Sequence, residues 1–142
     1  IKQDRIVFAV KLDTLAEHLR RYSEVDIALD PFPFNGATTT FQALWMGVPV
    51  VSLAGETFMS RATGSILHPG DLGDLVVDTP ESYVTCARDL AGDVARLRTL
   101  RATLRERIAA SPLCNPPDHA RSVEVAYRVM WQKWCSRHGN TP

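Results

Sequence analysis

The chain has 142 residues, 45% of them hydrophobic, and its 16 acidic residues balance its 16 basic residues. This length and composition predict one globular domain with a sizeable core. A net charge of zero gives no basic excess of the kind that binds nucleic acid, and the apolar runs are too short to span a bilayer, so neither a nucleic-acid nor a membrane partner is expected.

Four short apolar runs rich in β-branched residues predict strands that are covered on both faces. They are residues 5–10, 26–30, 48–53 and 75–78. Helical patterns lie between them, and strands that alternate with helices pair in parallel through right-handed crossovers. The predicted fold class is therefore α/β, a Rossmann-like parallel sheet with flanking helices.

The first predicted helix begins at a capping box formed by Thr14 and Glu17 and runs to about residue 23. Its Leu15, Leu19 and Tyr22 share one face and should pack on the sheet. Further helices are predicted at residues 38–46 and 58–67, with a mainly helical part at 80–135.

The last of these helices carries an apolar stripe that includes Trp131 and Trp134. At helical spacing, such a stripe favours a core or interdomain contact over a platform on which bases stack. The tail from residue 136 is polar and should fray.

The segment from Asp30 to Thr40 joins a strand to a helix at the carboxyl end of the strand, where open parallel sheets bind ligands. Asn35 and Gly36 permit positive φ and a close approach of the backbone. Thr38 to Thr40 offer hydroxyl and N–H donors at a helix N-terminus, a pattern that favours an anion such as a diphosphate. The same threonines could equally be ordinary helix caps.

His18 and Arg21 lie three residues apart on the first helix, so their side chains can converge on one target. They could contact the base, ribose or phosphates of a nucleotide. They could equally be solvated or paired with Glu17 or Glu24. No histidine has a partner at metal-ligand spacing, so no metal site is predicted.

Two features indicate the setting of the chain. Cys86, Cys114 and Cys135 are widely spaced and form no Cys-x-x-Cys pair, which is typical of free thiols in a reducing cytoplasm. The chain begins with Ile1 and has no signal-peptide pattern, so we expect a cytoplasmic segment of a longer protein.

Several long, ordered motifs resemble the C-terminal catalytic lobe of O-GlcNAc transferases, and most closely their bacterial, SPINDLY-like relatives with tetratricopeptide repeats. The matching runs are residues 27–30, 35–40, 43–51, 55–57, 60–61 and 107–113, with the helix that bears Tyr127, Met130 and Trp131. The resemblance implies one domain over 1–142, a partial nucleotide-sugar-binding lobe of a GT-B glycosyltransferase. It also implies transfer of N-acetylglucosamine from UDP-GlcNAc to Ser or Thr of an acceptor protein, without a metal or other cofactor.

The resemblance extends to single residues. His18 corresponds to the family histidine near the uridine, and Arg21 to the arginine one turn later. Thr38 and Thr39 correspond to the threonines that hold the diphosphate. The predicted nucleotide-sugar site consists of His18, Arg21, Asn35, Gly36, Thr38, Thr39 and Gln42.

Two positions depart from the animal members of the family. Ala37 stands where those proteins have a histidine, and Gln42 stands where they have an aspartate directed toward the ribose. A glutamine can still hydrogen-bond a ribose hydroxyl, but it is a weaker acceptor than a carboxylate.

No catalytic residue is assigned within the chain, because family members place a lysine near the diphosphate and an N-terminal lobe with its own histidines upstream. The chain alone is therefore expected to bind UDP weakly if at all, not to transfer sugar, and to leave its first strand as an apolar edge. The upstream lobe and the repeats are its expected partners in the same protein. Two alternatives remain open: a non-catalytic interaction module, or a GT-B transferase for another nucleotide sugar such as GDP-fucose, as in plant relatives.

Overall fold

The structure is a computed structural model that describes residues 2–9 and 13–139. Its three strands form a parallel sheet in the order β1-β2-β3. The strands are β1 Ala28–Asp30, β2 Val50–Leu53 and β3 Val76–Val77. Helices cross over between successive strands, so the predicted α/β fold class is confirmed.

The described residues form six α-helices. They are α1 Leu15–Arg20, α2 Thr38–Trp45, α3 Ala62–Leu67, α4 Pro80–Gly92, α5 Val94–Ala110 and α6 Pro116–His138. A 3-10 helix, Arg21–Glu24, continues directly from α1. The predicted capping box of Thr14 and Glu17 is present at the start of α1. Gly47, at φ 79°, follows the end of α2, as is common for a glycine after a helix.

The core lies around β2, where Val51 and Ser52 are fully buried. Leu44 of α2, Leu67 of α3 and Leu104 of α5 are also fully buried in the same apolar cluster. Complete burial of one such side chain stabilises the folded state by about 1.5–3 kcal/mol. This cluster therefore holds the carboxyl ends of the strands and the start of α2 in fixed positions.

The prediction of a first strand at residues 5–10 is wrong for the part that the structure describes, and Val10 lies outside it. Gln3–Arg5 forms a 3-10 turn, and residues 6–9 join no sheet. Val7 is 85% exposed and Phe8 is 84% exposed. An apolar run becomes a strand only where a neighbouring strand shares hydrogen bonds with it. None of the described strands pairs with residues 6–9.

The predicted packing of α1 is also only partly correct. Tyr22 packs against the core cluster, but Leu15 is 63% exposed and no residue of α1 is buried. The helix is too short to bring a second turn of apolar side chains onto the sheet.

No residue of α6 is buried, so the prediction that Trp131 and Trp134 belong to a core is wrong within the described residues. Their rings stack on each other, 5.3 Å apart, on an exposed helix. An interdomain contact for this stripe remains a prediction. The described helices include no stretch with the length and hydropathy that a membrane span requires.

Candidate functional site

The loop of residues 31–37 leads to the three threonines that begin α2 and is called the threonine loop. It is anchored by the carboxylate of Asp30 at the end of β1. Its Oδ1 accepts a hydrogen bond from the Gly36 N–H at 2.8 Å, and its Oδ2 accepts one from the Ser52 hydroxyl in β2 at 3.1 Å. One side chain therefore fixes the loop to two strands. No role was predicted for Asp30, although an acidic residue that ends a strand before a glycine loop is a usable signal.

Asn35 and Gly36 hold the loop by burial and close approach. Asn35 is 1% exposed, its N–H donates to the Met59 carbonyl at 3.0 Å, and its side-chain Nδ2 donates to the Leu53 carbonyl at 3.4 Å. Gly36 is needed for space, because a Cβ there would lie 2.6 Å from Thr39 Oγ1. The predicted positive φ is absent, since the described residues reach positive φ only at Gly47 and Asp71.

The three consecutive threonines have different roles. Thr40 is buried, and its hydroxyl lies 3.0 Å from that of Thr63, which donates to the Gly36 carbonyl at 2.9 Å. Thr40 is therefore a structural residue and not a ligand donor, contrary to its inclusion among the predicted donors. Thr63 was not predicted, because nothing in its local sequence marks a partner 23 residues away.

Thr38 and Thr39, by contrast, are exposed at the first turn of α2. The N-cap position is Ala37, whose side chain has no acceptor, so the interpretation of the threonines as caps is wrong. The N–H groups and hydroxyls of Thr38 and Thr39 donate no hydrogen bond within the described part of the chain. Four donors thus remain at the positive end of a helix.

These donors border an open hollow of about 500 Å³. Residues 34–39 of the loop form one wall, and the opposite wall is lined by Phe58, Met59, Ala62, Ser65 and Ile66. The wall is mainly apolar, so a polar ligand there would find its donors at the start of α2.

His18 and Gln42, both members of the predicted nucleotide-sugar site, lie in contact with each other. The Nε2 of His18 lies 3.1 Å from Oε1 of Gln42. Because an amide oxygen only accepts, this contact is a hydrogen bond in the His18 tautomer whose Nε2 donates. Tyr22 supports the pair, since its ring meets the His18 ring edge-on at 5.6 Å and its hydroxyl donates to the Thr39 carbonyl at 3.4 Å.

Arg21 is half-buried, and its side chain makes no hydrogen bond or ion pair among the described residues. The alternative in which it pairs with Glu17 is not observed, because the Glu17 carboxylate accepts from Thr14. The structure joins His18 and Gln42 directly and links His18 to Thr39 through Tyr22. Arg21 lies one turn from His18, and its side chain contacts none of these residues through a hydrogen bond.

Two tyrosines near the sheet are partly buried. Burial raises the pKa of Tyr22, and burial together with the charge of Asp30 raises the pKa of Tyr83. Both phenols therefore stay protonated at neutral pH. The Tyr83 hydroxyl is buried and has no hydrogen-bond partner in the described part of the chain.

The described residues contain no group of three His, Cys, Asp or Glu side chains that could hold a metal ion. The exposed groups at the start of α2 are neutral hydrogen-bond donors, which suit an anion.

Comparison with known proteins gives the family. The model of glycosyl transferase family 41 matches residues 1–123. The chain belongs to glycosyl transferase family 41. The resemblance to O-GlcNAc transferases and SPINDLY proteins is therefore confirmed.

Curated relatives are similar over most of the chain. The Arabidopsis thaliana protein named "Probable UDP-N-acetylglucosamine--peptide N-acetylglucosaminyltransferase SPINDLY" is 45% identical over 119 residues, which is 84% of this chain. The Hordeum vulgare protein of the same name is 44% identical over 126 residues, which is 89% of this chain. In both cases the chain spans 13% of the length of the relative.

Among solved structures, a mutant O-GlcNAc transferase from Thermobaculum terrenum superimposes with a TM-score of 0.77 at 38% identity. The match covers 87% of this family 41 chain and 24% of that one. The fold described above therefore corresponds to part of a larger glycosyltransferase fold.

Proposed function

We propose that this family 41 chain is the C-terminal, nucleotide-sugar-binding part of a GT-B protein O-glycosyltransferase. Its donor is UDP-GlcNAc, and its acceptors are Ser or Thr hydroxyls of another protein. Family membership supports the reaction class. The observation that carries the site is the uncapped first turn of α2, where Thr38 and Thr39 keep their donors beside an open hollow.

In this proposal, the donors stabilise the diphosphate as it leaves the sugar. A helix N-terminus carries roughly half a positive charge, and fixed donors aimed at developing negative charge lower the barrier without reorganisation. Thr38 and Thr39 supply N–H and hydroxyl donors together, and the proposal assigns the stabilisation of the diphosphate to these donors without a metal.

His18 and Gln42 would contact the nucleoside, and Arg21 would add positive charge close by. With its Oε1 accepting from His18, Gln42 keeps its amide N–H groups for a ribose oxygen. Animal members have an aspartate at this position, which can only accept a hydrogen bond when it is ionised. In this proposal Gln42 would instead donate to the ribose. The catalytic groups and the acceptor site would come from the upstream lobe and repeats of the same cytoplasmic protein.

The direct test is calorimetric titration of UDP into the natural protein that contains this chain. We expect the double variant Thr38→Ala/Thr39→Ala to bind UDP on the order of tenfold or more weakly, because hydrogen bonds to charged groups are lost. Thr85→Ala, on the exposed side of α4, is the matched control and should bind as the wild type does. Unchanged UDP affinity in the double variant would show that Thr38 and Thr39 do not bind the diphosphate.

A second candidate is a non-catalytic interaction module, and the departures at Ala37 and Gln42 favour it. It is distinguished by the same titration extended to GDP. A protein that binds neither UDP nor GDP fits the module, whereas a preference for GDP would indicate a GDP-sugar donor such as GDP-fucose.

A further inference from the structure

Arg101, in the middle of α5, binds three backbone carbonyls that all lie outside its own helix. Its Nη1 donates to the Tyr22 carbonyl at 3.1 Å and to the Met46 carbonyl at 3.3 Å, and its Nη2 donates to the Val25 carbonyl at 2.6 Å. A guanidinium is planar and presents its five donors in a fixed fork. It therefore fixes the carbonyls that it binds relative to one another.

The three carbonyls belong to two neighbouring segments, one after α1 and one after α2. Tyr22 lies within the four-residue 3-10 helix that continues α1, Val25 follows that helix, and Met46 follows the last residue of α2. Carbonyls at helix ends carry partial negative charge, which suits a cation. One side chain thus joins the end of the segment that carries His18 to the end of the helix that carries Gln42.

Tyr22 connects Arg101 to the candidate site. Arg101 binds its backbone carbonyl, while its ring meets His18 and its hydroxyl binds the Thr39 carbonyl. A shift of the Tyr22 backbone would therefore move both contacts. The path from Arg101 to the His18–Gln42 hydrogen bond contains a single intervening residue.

Few other contacts hold α1 in the described structure. None of its residues is buried, so burial of apolar surface does little to fix its position. Nearby, the α5 backbone approaches the end of α2 closely, since a Cβ on Gly47 would lie 2.7 Å from the Arg101 carbonyl. The guanidinium thus extends from α5, which packs tightly against the end of α2, to the loosely held segment that continues α1.

We propose that Arg101 is a positioning residue of the nucleotide site, which holds α1 against α2 so that His18 and Gln42 stay within hydrogen-bond distance. The inference rests on the proposed function. Arg101 does not touch the nucleotide, and it acts on the nucleoside side of the site. The start of α2, where the diphosphate binds, is held independently by Asp30 and Thr63.

Arg107 provides a matched control on the same helix. It also donates to backbone carbonyls, of Gly70 at 3.2 Å and Asp71 at 2.8 Å, but these follow α3 and not α1. The Arg101 and Arg107 side chains are 35% and 32% exposed. Replacement of either by Met should therefore lower the melting temperature to a similar extent.

The experiment compares Arg101→Met with Arg107→Met in the natural protein, by titration with UDP and with inorganic pyrophosphate. For Arg101→Met we expect UDP to bind on the order of tenfold more weakly, the size of about one lost net hydrogen bond, with pyrophosphate binding within about twofold of wild type. For Arg107→Met both affinities should stay within about twofold. Equal loss of UDP affinity in the two variants would show a merely structural role and overturn the proposal.

Hydrogen exchange without nucleotide tests the positioning independently of the function. Amides at residues 15–25 should exchange several-fold faster in Arg101→Met and at the wild-type rate in Arg107→Met. Unchanged exchange in Arg101→Met would overturn the proposal, whereas a wild-type protein that binds no UDP would overturn only the function. If Arg101→Met does not fold, Arg101→Lys keeps the charge without the fork, and the same outcomes decide.

Discussion

Gly36 shows how little space the threonine loop leaves at the scale of one residue. Its missing side chain allows the loop to pass beside two hydroxyls, since a Cβ would lie 2.6 Å from Thr39 Oγ1 and 2.8 Å from Thr40 Oγ1. Thr40 cannot move away, because its hydroxyl is held by Thr63 in the core. Steric room, and not unusual backbone conformation, thus explains the glycine.

Gly36→Ala is accordingly expected to lower the free energy of unfolding by about 1–3 kcal/mol, the usual cost of forcing an extra methyl into a packed site. Gly92→Ala is the matched control, because a Cβ there meets nothing within 4 Å and alanine favours the helix by up to about 1 kcal/mol. Urea denaturation followed by circular dichroism measures both. Equal stability of the two variants would contradict the crowding that the structure shows.

At the scale of elements, the same local device begins two helices with very different surroundings. Thr14 with Glu17 caps α1, and Thr79 with Ser82 caps α4. α4 packs on the core through Leu90, whereas α1 buries no residue. The energetic value of each cap therefore depends on how strongly its helix is coupled to the rest of the fold.

Thr79→Ala should destabilise the whole fold by about 1 kcal/mol, the usual value of an N-cap. Thr14→Ala should leave the melting temperature nearly unchanged and raise hydrogen exchange only within α1, because a helix without buried residues can unfold locally. Thermal denaturation and exchange mass spectrometry separate the two results. A large loss of melting temperature in Thr14→Ala would show that α1 is coupled to the core.

These elements also show what the sequence could reveal. The Thr14 capping box and the Gly47 helix end were predictable, because each depends on residues close together in the chain. The separation of Thr40 from Thr38 and Thr39 was not, since three identical side chains differ only in a contact with Thr63. The strand at residues 5–10 was predicted wrongly for the related reason that pairing depends on a distant neighbour.

At the scale of the whole molecule, two partly buried tyrosines link stability to pH. The pKa of Tyr22 is raised by burial, and that of Tyr83 is raised by burial and by the charge of Asp30. A group whose folded pKa lies above its unfolded pKa stabilises the fold fully below the unfolded value, about 10 for tyrosine, and loses that contribution as the pH rises through the folded value. The contribution of the two tyrosines to stability should therefore be level to about pH 9 and fall above about pH 10.

Tyr83→Phe tests this dependence. It removes a buried hydroxyl without a described partner, so we expect stability to rise by about 1 kcal/mol at pH 8 and its loss at pH 11 to be smaller than in the wild type. Denaturation at the two pH values gives the comparison. An unchanged loss at pH 11 would assign the alkaline transition to other groups.

Because Ala37 cannot cap α2, the stability of the fold should depend on whether an anion is bound at the start of this helix. A helix that lacks an N-cap forgoes about 1 kcal/mol, and an anion bound at Thr38 and Thr39 would supply the missing acceptors. Binding of such an anion should raise the free energy of unfolding by about 2.7 kcal/mol at one hundred times the dissociation constant, and the melting temperature should rise with it. A thermal-shift series of pyrophosphate, UDP and GDP can thus rank the nucleotides before any acceptor protein is known.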